Sequence, residues 1–308
     1  MQKTAFFFPG QGAQQRGMLH DFYQAEPIVQ ETFQIAQAAL GYDLWDLIQN
    51  DEQKLNETQF TQPALLASSY AIWRVIQQKY HLTPSVLAGH SLGEYSALVC
   101  AESLEFTDAL KLVEKRGHLM QQAVNDRDCA MSAILGLSDD QVKQCCQQAS
   151  DMGIVEPANF NSKGQVVISG EKAAVEKANH LAKEMGAKRA QLLAVSVPSH
   201  CSLMRSAAEA FQQHLTRTPI ETPTIPIIHN YDVISHSQPD AIRDVLVKQL
   251  FNPVQWTQTV EHCHSQIHID RFIECGPNKV LTGLGKRIAK GATHLPMNQY
   301  TALDTIES

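Results

Sequence analysis

No apolar run in these 308 residues approaches the ~18 needed to cross a bilayer, so no membrane-spanning helix is expected. Near the N-terminus, Lys3 precedes an apolar run of only Thr4 to Phe8, which stops at Pro9-Gly10. That run is too short for a signal-peptide core, and the expectation is a cytoplasmic protein. Cysteine is sparse and unpaired in pattern: there are seven, an odd number, with only Cys145 and Cys146 adjacent and no CxxC. Neither a disulfide framework nor a redox pair fits that spacing. His262-Cys263-His264 with His268 lacks the second ligand pair that a zinc site needs, and a solvated helix end explains it as well. Positive charge is also short, with 25 Lys and Arg against 32 Asp and Glu, a net charge of -7. Nucleic acid as the main partner is thereby disfavoured, although a local basic patch stays open. Low-complexity tracts, like-charge blocks and solenoid repeats are missing too.

What is there belongs to a globular protein. A hydrophobic fraction of 44% and a charged fraction of 19% support a sizeable core, in one large domain with an insert or in two domains. Thr4 to Phe8 reads as a buried strand broken by the sharp turn Pro9-Gly10-Gln11-Gly12. Apolar residues at helical spacing predict helices from Pro27 to about Leu40 and from near Pro63 to about Tyr80. A short strand follows at Ser85 to Gly89, then a helix of small and apolar residues at Leu92 to Ala101.

From Ala130 to Ala194 the pattern is β-α-β-β-α-β. It places strands at Ala130 to Leu135, Ile154 to Phe160, Gln165 to Ser169 and Lys188 to Ala194, with a hairpin turn at Asn161 to Gly164. The helices are one capped by Ser138 and Gln141 and one over Glu171 to Met185. This order predicts a small ferredoxin-like domain, 128–197, inserted into a large α/β-hydrolase-like domain with a parallel sheet, formed by 1–127 and 198–308. In the second piece, helices at about Ser202 to Leu215, Asp240 to Leu250 and Val254 to His264 alternate with strands near Ile225 to Ile228 and Arg271 to Glu274.

The sharpest chemical signal is Gly89-His90-Ser91-Leu92-Gly93, a G-x-S-x-G between a short strand and a helix. Glycine on both flanks permits the tight turn that lifts Ser91 Oγ above the sheet, and it sets the Leu92 N–H at a helix N-terminus, able to stabilise an oxyanion. The plain alternative is a serine capping a helix. A serine nucleophile needs a base, and the chain offers thirteen histidines. His90 adjoins the serine but points elsewhere. His200, in Val197-Pro198-Ser199-His200, lies where the small domain ends, and a cleft base and a surface histidine fit it equally. No acidic third member stands out among Asp108, Asp126, Asp128 and Asp151. Arg116 falls on the apolar stripe of Ala109, Leu112, Val113 and Met120. It is a core ion pair with Glu94 or Glu114, a guanidinium that snorkels out to water, or a fork that awaits a substrate carboxylate.

Together with Phe8-Pro9-Gly10-Gln11-Gly12-Ala13-Gln14, Gly89 to Ala97, Lys115-Arg116-Gly117 and Val197 to His200, the chain resembles the malonyl-CoA:acyl carrier protein transacylases. Asn159-Phe160-Asn161, Asn252-Pro253-Val254-Gln255-Trp256 and Glu274-Cys275-Gly276-Pro277 extend the resemblance over the whole chain. The resemblance implies that Ser91 carries the acyl group and His200 is its base, oriented by the Gln249 backbone carbonyl rather than by a carboxylate. It implies oxyanion N–H groups at Gln11 and Leu92, and Arg116 as the ligand of the malonyl carboxylate. It further implies malonyl-CoA and a holo-acyl carrier protein, itself acidic, as substrates, no cofactor or metal, and a monomer serving dissociated fatty acid synthesis. A polyketide acyltransferase and a serine hydrolase share most of these features.

Overall fold

All five residues of strand β1 (Thr4–Phe8) are buried, and they alternate between two layers. Phe6 and Phe8 pack with Trp73 in one cluster, and Ala5 and Phe7 pack with Trp256 in another. A strand covered on both faces needs no polar residue, which is why this run reads as continuously apolar. The computed structural model describes residues 3–195 and 197–306.

After β1 come α1 (His20–Ala25), α2 (Pro27–Leu40), α3 (Leu44–Asn50), α4 (Glu52–Leu55) and the long α5 (Thr58–Tyr80). The start of α5 lies five residues before Pro63 rather than at it. A proline early in a helix forfeits one backbone bond, and the turn before it is tied by Thr61 Oγ1, bonded to the Leu55 and Glu57 carbonyls at 2.6 and 3.0 Å. Then follow β2 (Val86–Gly89), α6 (Gly93–Cys100) and α7 (Phe106–Gln122).

Residues 129–192 form β3 (Cys129–Leu135), α8 (Asp139–Ala149), β4 (Val155–Ser162), β5 (Gln165–Glu171), α9 (Lys172–Glu184) and β6 (Arg189–Leu192). Ser138 and Gln141 make the reciprocal capping box at the start of α8. The hairpin is tighter than the sequence indicates, since β4 continues through Ser162 and only Lys163-Gly164 turn, with Gly164 at φ 76°. The chain ends with α10 (Arg205–Arg217), β7 (Ile227–Ile228), α11 (Pro239–Phe251), α12 (Trp256–Ser265), β8 (Arg271–Glu274), α13 (Val280–Ile288) and β9 (Thr293–Pro296). The sequence pattern predicts no strand at β9.

The fold is mixed α/β with two separate sheets. One is parallel, in the order β7-β2-β1-β8-β9, and the other antiparallel, in the order β4-β5-β3-β6. One face of the antiparallel sheet buries Ile134, Val166 and Ile168 against α8 and α9, and the other carries Met131, Ala158 and Val167. β4 is joined to the larger layer through Val254, whose N–H and C=O bond Ala158 O and Phe160 N at 2.9 and 3.0 Å. Strand ends, a helix start and this second sheet thus meet at one edge of the parallel sheet, beyond the C-terminal ends of β1 and β2.

Close backbone approach makes that meeting possible. A methyl on Gly93 would lie 2.0 Å from the Phe8 carbonyl oxygen, and one on Gly10 would lie 2.3 Å from the His90 oxygen. Gly93→Ala therefore has to push α6 off β1. We expect it to lower the melting temperature by several degrees, at a cost of at least about 1–3 kcal/mol, and to lose catalysis with it. A scan showing wild-type melting would remove close packing as the reason for glycine at this position.

Candidate active site

Ser91 sits at φ 52°, a left-handed conformation that a serine adopts only under constraint, and that the G-x-S-x-G turn imposes. The constraint comes largely from one residue. Asn230, just past β7, accepts the Ser91 N–H on Oδ1 at 2.6 Å and donates Nδ2–H to the Gly89 carbonyl at 2.6 Å, so it grips the turn on both sides. Asn230 is fully buried, and its own N–H is taken by Glu94 Oε2 at 3.0 Å.

His200 also has a positive φ, of 63°, and its N–H bonds the Leu250 carbonyl at 3.0 Å. Its ring lies between two oxygens, with Nε2 2.7 Å from Ser91 Oγ and Nδ1 2.7 Å from the Gln249 carbonyl oxygen. A carbonyl only accepts, so Nδ1 carries the proton and Nε2 is left to receive the serine hydroxyl. Among the described residues no carboxylate bonds the ring. Burial, and next the positive charge of Arg116, push the His200 pKa down to about 3, with the Gln249 carbonyl opposing them. The histidine is therefore neutral at physiological pH. His90 is engaged elsewhere: its Nε2 is 2.8 Å from Asn161 Oδ1, and burial lowers its pKa.

Arg116 is 1% exposed and has no acidic partner among the described residues, which removes the ion pair with Glu94 or Glu114 as an account of it. Its Nη1 donates to Gln62 Oε1 and its Nη2 to Gln249 Oε1, each at 2.9 Å, while Nε–H has no acceptor. The guanidinium lies 5.4 Å from the Tyr95 ring centroid, and burial lowers its pKa while Tyr95 and Glu94 raise it. Five N–H donors with only two neutral amide acceptors leave a buried fork with unused donors. Glu94 instead accepts from His229 Nδ1, the Asn230 N–H and Gln249 Nε2 at 2.7, 3.0 and 2.8 Å.

Ser91, His200, Arg116, Gln11 and Leu92 line one cavity of about 210 Å³. Its walls include Met131, Asn159, Asn161, Val167, Leu193 and Val195 from the antiparallel-sheet side. The N–H groups of Gln11 and Leu92 find no acceptor among the described residues, so both are available to an oxyanion. His262, Cys263, His264 and His268 gather into no metal-binding cluster among the described residues: Cys263 is in the core and His264 Nδ1 donates to Ile269 O. The sequence pattern does not single out Asn230, His229 or Gln62. The legible signal for the first two is a polar pair at the end of a strand of the parallel sheet, where ligands bind in such folds.

A strained serine, a neutral histidine set on it by main chain, two free amides and a buried cation define a class of enzyme that can hold an acyl group as a serine ester and recognise an anionic acyl tail. Comparison with known proteins agrees with this. Residues 5–304 match the acyl transferase domain. The chain is 51% identical over 304 residues to the malonyl CoA-acyl carrier protein transacylase of Escherichia coli K12, covering 98% of each, and 52% identical over 309 residues to that of Haemophilus influenzae, covering 100% and 99%. The solved structure of the Coxiella burnetii malonyl CoA-acyl carrier protein transacylase superposes with a TM-score of 0.97 at 48% identity, covering 99% of this chain and 96% of that one. A malonyl-transacylase solved in complex with its type II polyketide synthase acyl-carrier protein gives a TM-score of 0.96 at 50% identity, covering 98% of both. The chain belongs to the malonyl-CoA:acyl carrier protein transacylase family.

If Asn230 grips the elbow, Asn230→Ala leaves the Ser91 N–H and the Gly89 carbonyl buried without partners. That should cost about 1–3 kcal/mol of stability and slow ester formation on Ser91. Unchanged melting and unchanged acylation together would show that the turn holds itself.

Proposed function

We propose that this chain transfers the malonyl group from malonyl-CoA to the phosphopantetheine thiol of holo-acyl carrier protein through a malonyl ester on Ser91, supplying extender units for fatty acid synthesis. The observation that carries the reading is a buried Arg116 with unused donors in the same cavity as the Ser91–His200 pair. His200 Nε2 takes the Ser91 proton as Oγ bonds to the thioester carbon, and the Gln11 and Leu92 N–H groups receive the oxyanion. Collapse breaks the C–S bond, and His200 returns the proton to the departing sulfur of coenzyme A. In the second half the carrier's thiol gives its proton to His200, its sulfur attacks the ester, and Ser91 Oγ leaves and recovers the proton. The Gln249 carbonyl orients the base throughout, and the chemistry calls for no cofactor or metal.

We read the parallel layer as α/β-hydrolase-like and the antiparallel one as a ferredoxin-like insert, dividing the chain into 1–127 with 198–308, and 128–197. Residues 1, 2, 196, 307 and 308 of that division lie outside the described residues. No helix among the described residues is long and apolar enough to cross a membrane. A cytoplasmic monomer remains our reading. The polyketide carrier named with one relative favours a second reading of the pathway, with identical chemistry, and offering both kinds of carrier protein distinguishes them.

The test is mass spectrometry of the protein mixed with malonyl-CoA or acetyl-CoA. Ser91→Ala should carry no acyl group, and His200→Ala should react about 10²–10⁴-fold more slowly. Removing one partner of a buried charged hydrogen-bonded pair costs about 2–5 kcal/mol, so Arg116→Ala should lose malonyl transfer by roughly 30-fold to several thousandfold and acetyl transfer far less. Equal losses for both acyl groups, with lowered melting, would make Arg116 a core residue only.

Lys188, Arg189, Lys286 and Arg287, all exposed, are our candidates for docking the carrier. Residues 279–292 contain four Lys or Arg and no carboxylate, in a chain of net charge -7. The same helix contributes Val280, Leu281 and Leu284 to the cavity wall, and Leu193, just after β6, lines it too, which supports this choice of segments. Lys286→Glu with Arg287→Glu should raise KM for the carrier protein about three- to tenfold and leave that for malonyl-CoA unchanged. A matching rise for malonyl-CoA refutes docking at these residues.

A further inference from the structure

Arg116 and His200 lean on the same residue. The Gln249 main-chain oxygen takes the His200 Nδ1–H, and its side-chain oxygen takes an Arg116 N–H. Both side chains are almost fully buried, and both line the one cavity. Around His200, the charged and titratable groups are Arg116 from α7, His90 from the elbow, Glu156 from β4, which accepts the Ser202 N–H and hydroxyl, and Glu94 from α6, beyond the Gln249 amide. Tyr95 of α6 lies under the guanidinium. None of these puts a carboxylate against Arg116. When His200 takes the Ser91 proton, a second cation therefore forms across Gln249 from the first, with both side chains almost fully buried and so weakly screened.

We propose that the carboxylate of the acyl group both pairs with Arg116 and, by cancelling that charge, makes His200 a stronger base, so that acyl selection is exercised in proton transfer as well as in binding. The inference rests on the malonyl-transfer reading above. With an acetyl group the attacking complex holds imidazolium, guanidinium and the oxyanion on the Gln11 and Leu92 N–H groups. With a malonyl group it holds the same three charges and one carboxylate. No proton is gained or lost beyond the one that moves from Ser91 Oγ to Nε2 and on to the thiol. A general base works best when its pKa approaches the working pH, so a base weakened by a neighbouring cation gains rate when that cation is neutralised. Arg116 is the second cause, after burial, of the downward shift at His200. A nearby charge can move a pKa by about 1–3 units, which is large enough to matter in the rate.

The experiment is rapid-quench mass spectrometry of Ser91 acylation after a pH jump, at saturating malonyl-CoA and at saturating acetyl-CoA. Saturating rates report the protonation of His200 in the complex. We expect the acid limb with malonyl-CoA to lie about 1–2 pH units above that with acetyl-CoA. In Arg116→Met the acetyl limb should rise by a similar amount and meet the malonyl limb, whereas a purely structural role for Arg116 lowers rates without moving either limb. Should that variant fail to fold, the titration of ¹⁵N-labelled His200 in Ser91→Ala gives the same answer. Its pKa should rise with the amide analogue of malonyl-pantetheine and stay put with the acetyl analogue. Coincident limbs in the unaltered enzyme, with the malonyl ester formed, overturn this inference alone. Failure to form a malonyl ester on Ser91 overturns it together with the reading it rests on.

Discussion

Everything in the site depends on where Gln249 is held. Its carbonyl oxygen fixes the tautomer of His200, its side-chain oxygen holds Arg116, and its Nε2 bonds both the Ser91 carbonyl at 3.0 Å and Glu94. One residue at the end of α11 thereby sets the base, the anion-binding fork and the nucleophile's turn relative to one another. A side-chain amide suits this task because it donates and accepts at once without bringing a charge of its own. Glutamate in its place would pair with Arg116 and occupy the donors that a substrate carboxylate needs, and it would face Glu94 across a buried gap.

That choice leaves Glu94 and Arg116 as opposite charges separated by a neutral relay rather than as a contact pair. Buried ions without direct partners are costly, and the structure offsets the cost by surrounding each with oriented dipoles. Glu94 receives three donors, and Arg116 is given two amide oxygens and an aromatic face. The bonds that Asn230, Glu94 and Gln249 make to the turn stiffen it, which suits a serine held at a disfavoured φ, while Arg116 Nε–H stays unmatched.

Much of this is legible in the amino-acid sequence. The elbow announces itself because strand, glycine, serine, glycine and helix are contiguous, and the Ala130 to Ala194 unit because its alternation is regular and its turn holds a glycine. Arg116 can be singled out but not explained: a cation on an apolar stripe is equally a salt bridge or a binding fork, and only the identity of its neighbours, Gln62 and Gln249, separates them. Asn230 is invisible for a different reason. It contacts Ser91 across 139 positions of sequence, from just past a strand only two residues long, and no local pattern encodes such a contact. β9 escapes notice because four residues, Thr293–Pro296, with a proline at the end, carry too little period-two signal to stand against their loops.

The central place of β1 has a consequence for how the chain is made. Its partners on either side are β2, which begins at Val86, and β8, whose first residue is Arg271. During synthesis β1 can complete only one of its two edges until β8 has followed. An apolar segment, Thr4 to Phe8, waits meanwhile with an unpaired edge. Pairings this distant in sequence slow folding and lengthen the exposure of sticky intermediates. The residues between, 129–192, form a sheet whose strands are close neighbours in sequence, so that unit can mature while the larger sheet is still incomplete. On this account the nascent chain is most prone to aggregate late, after the small sheet has formed and before β8 arrives to close the core around β1.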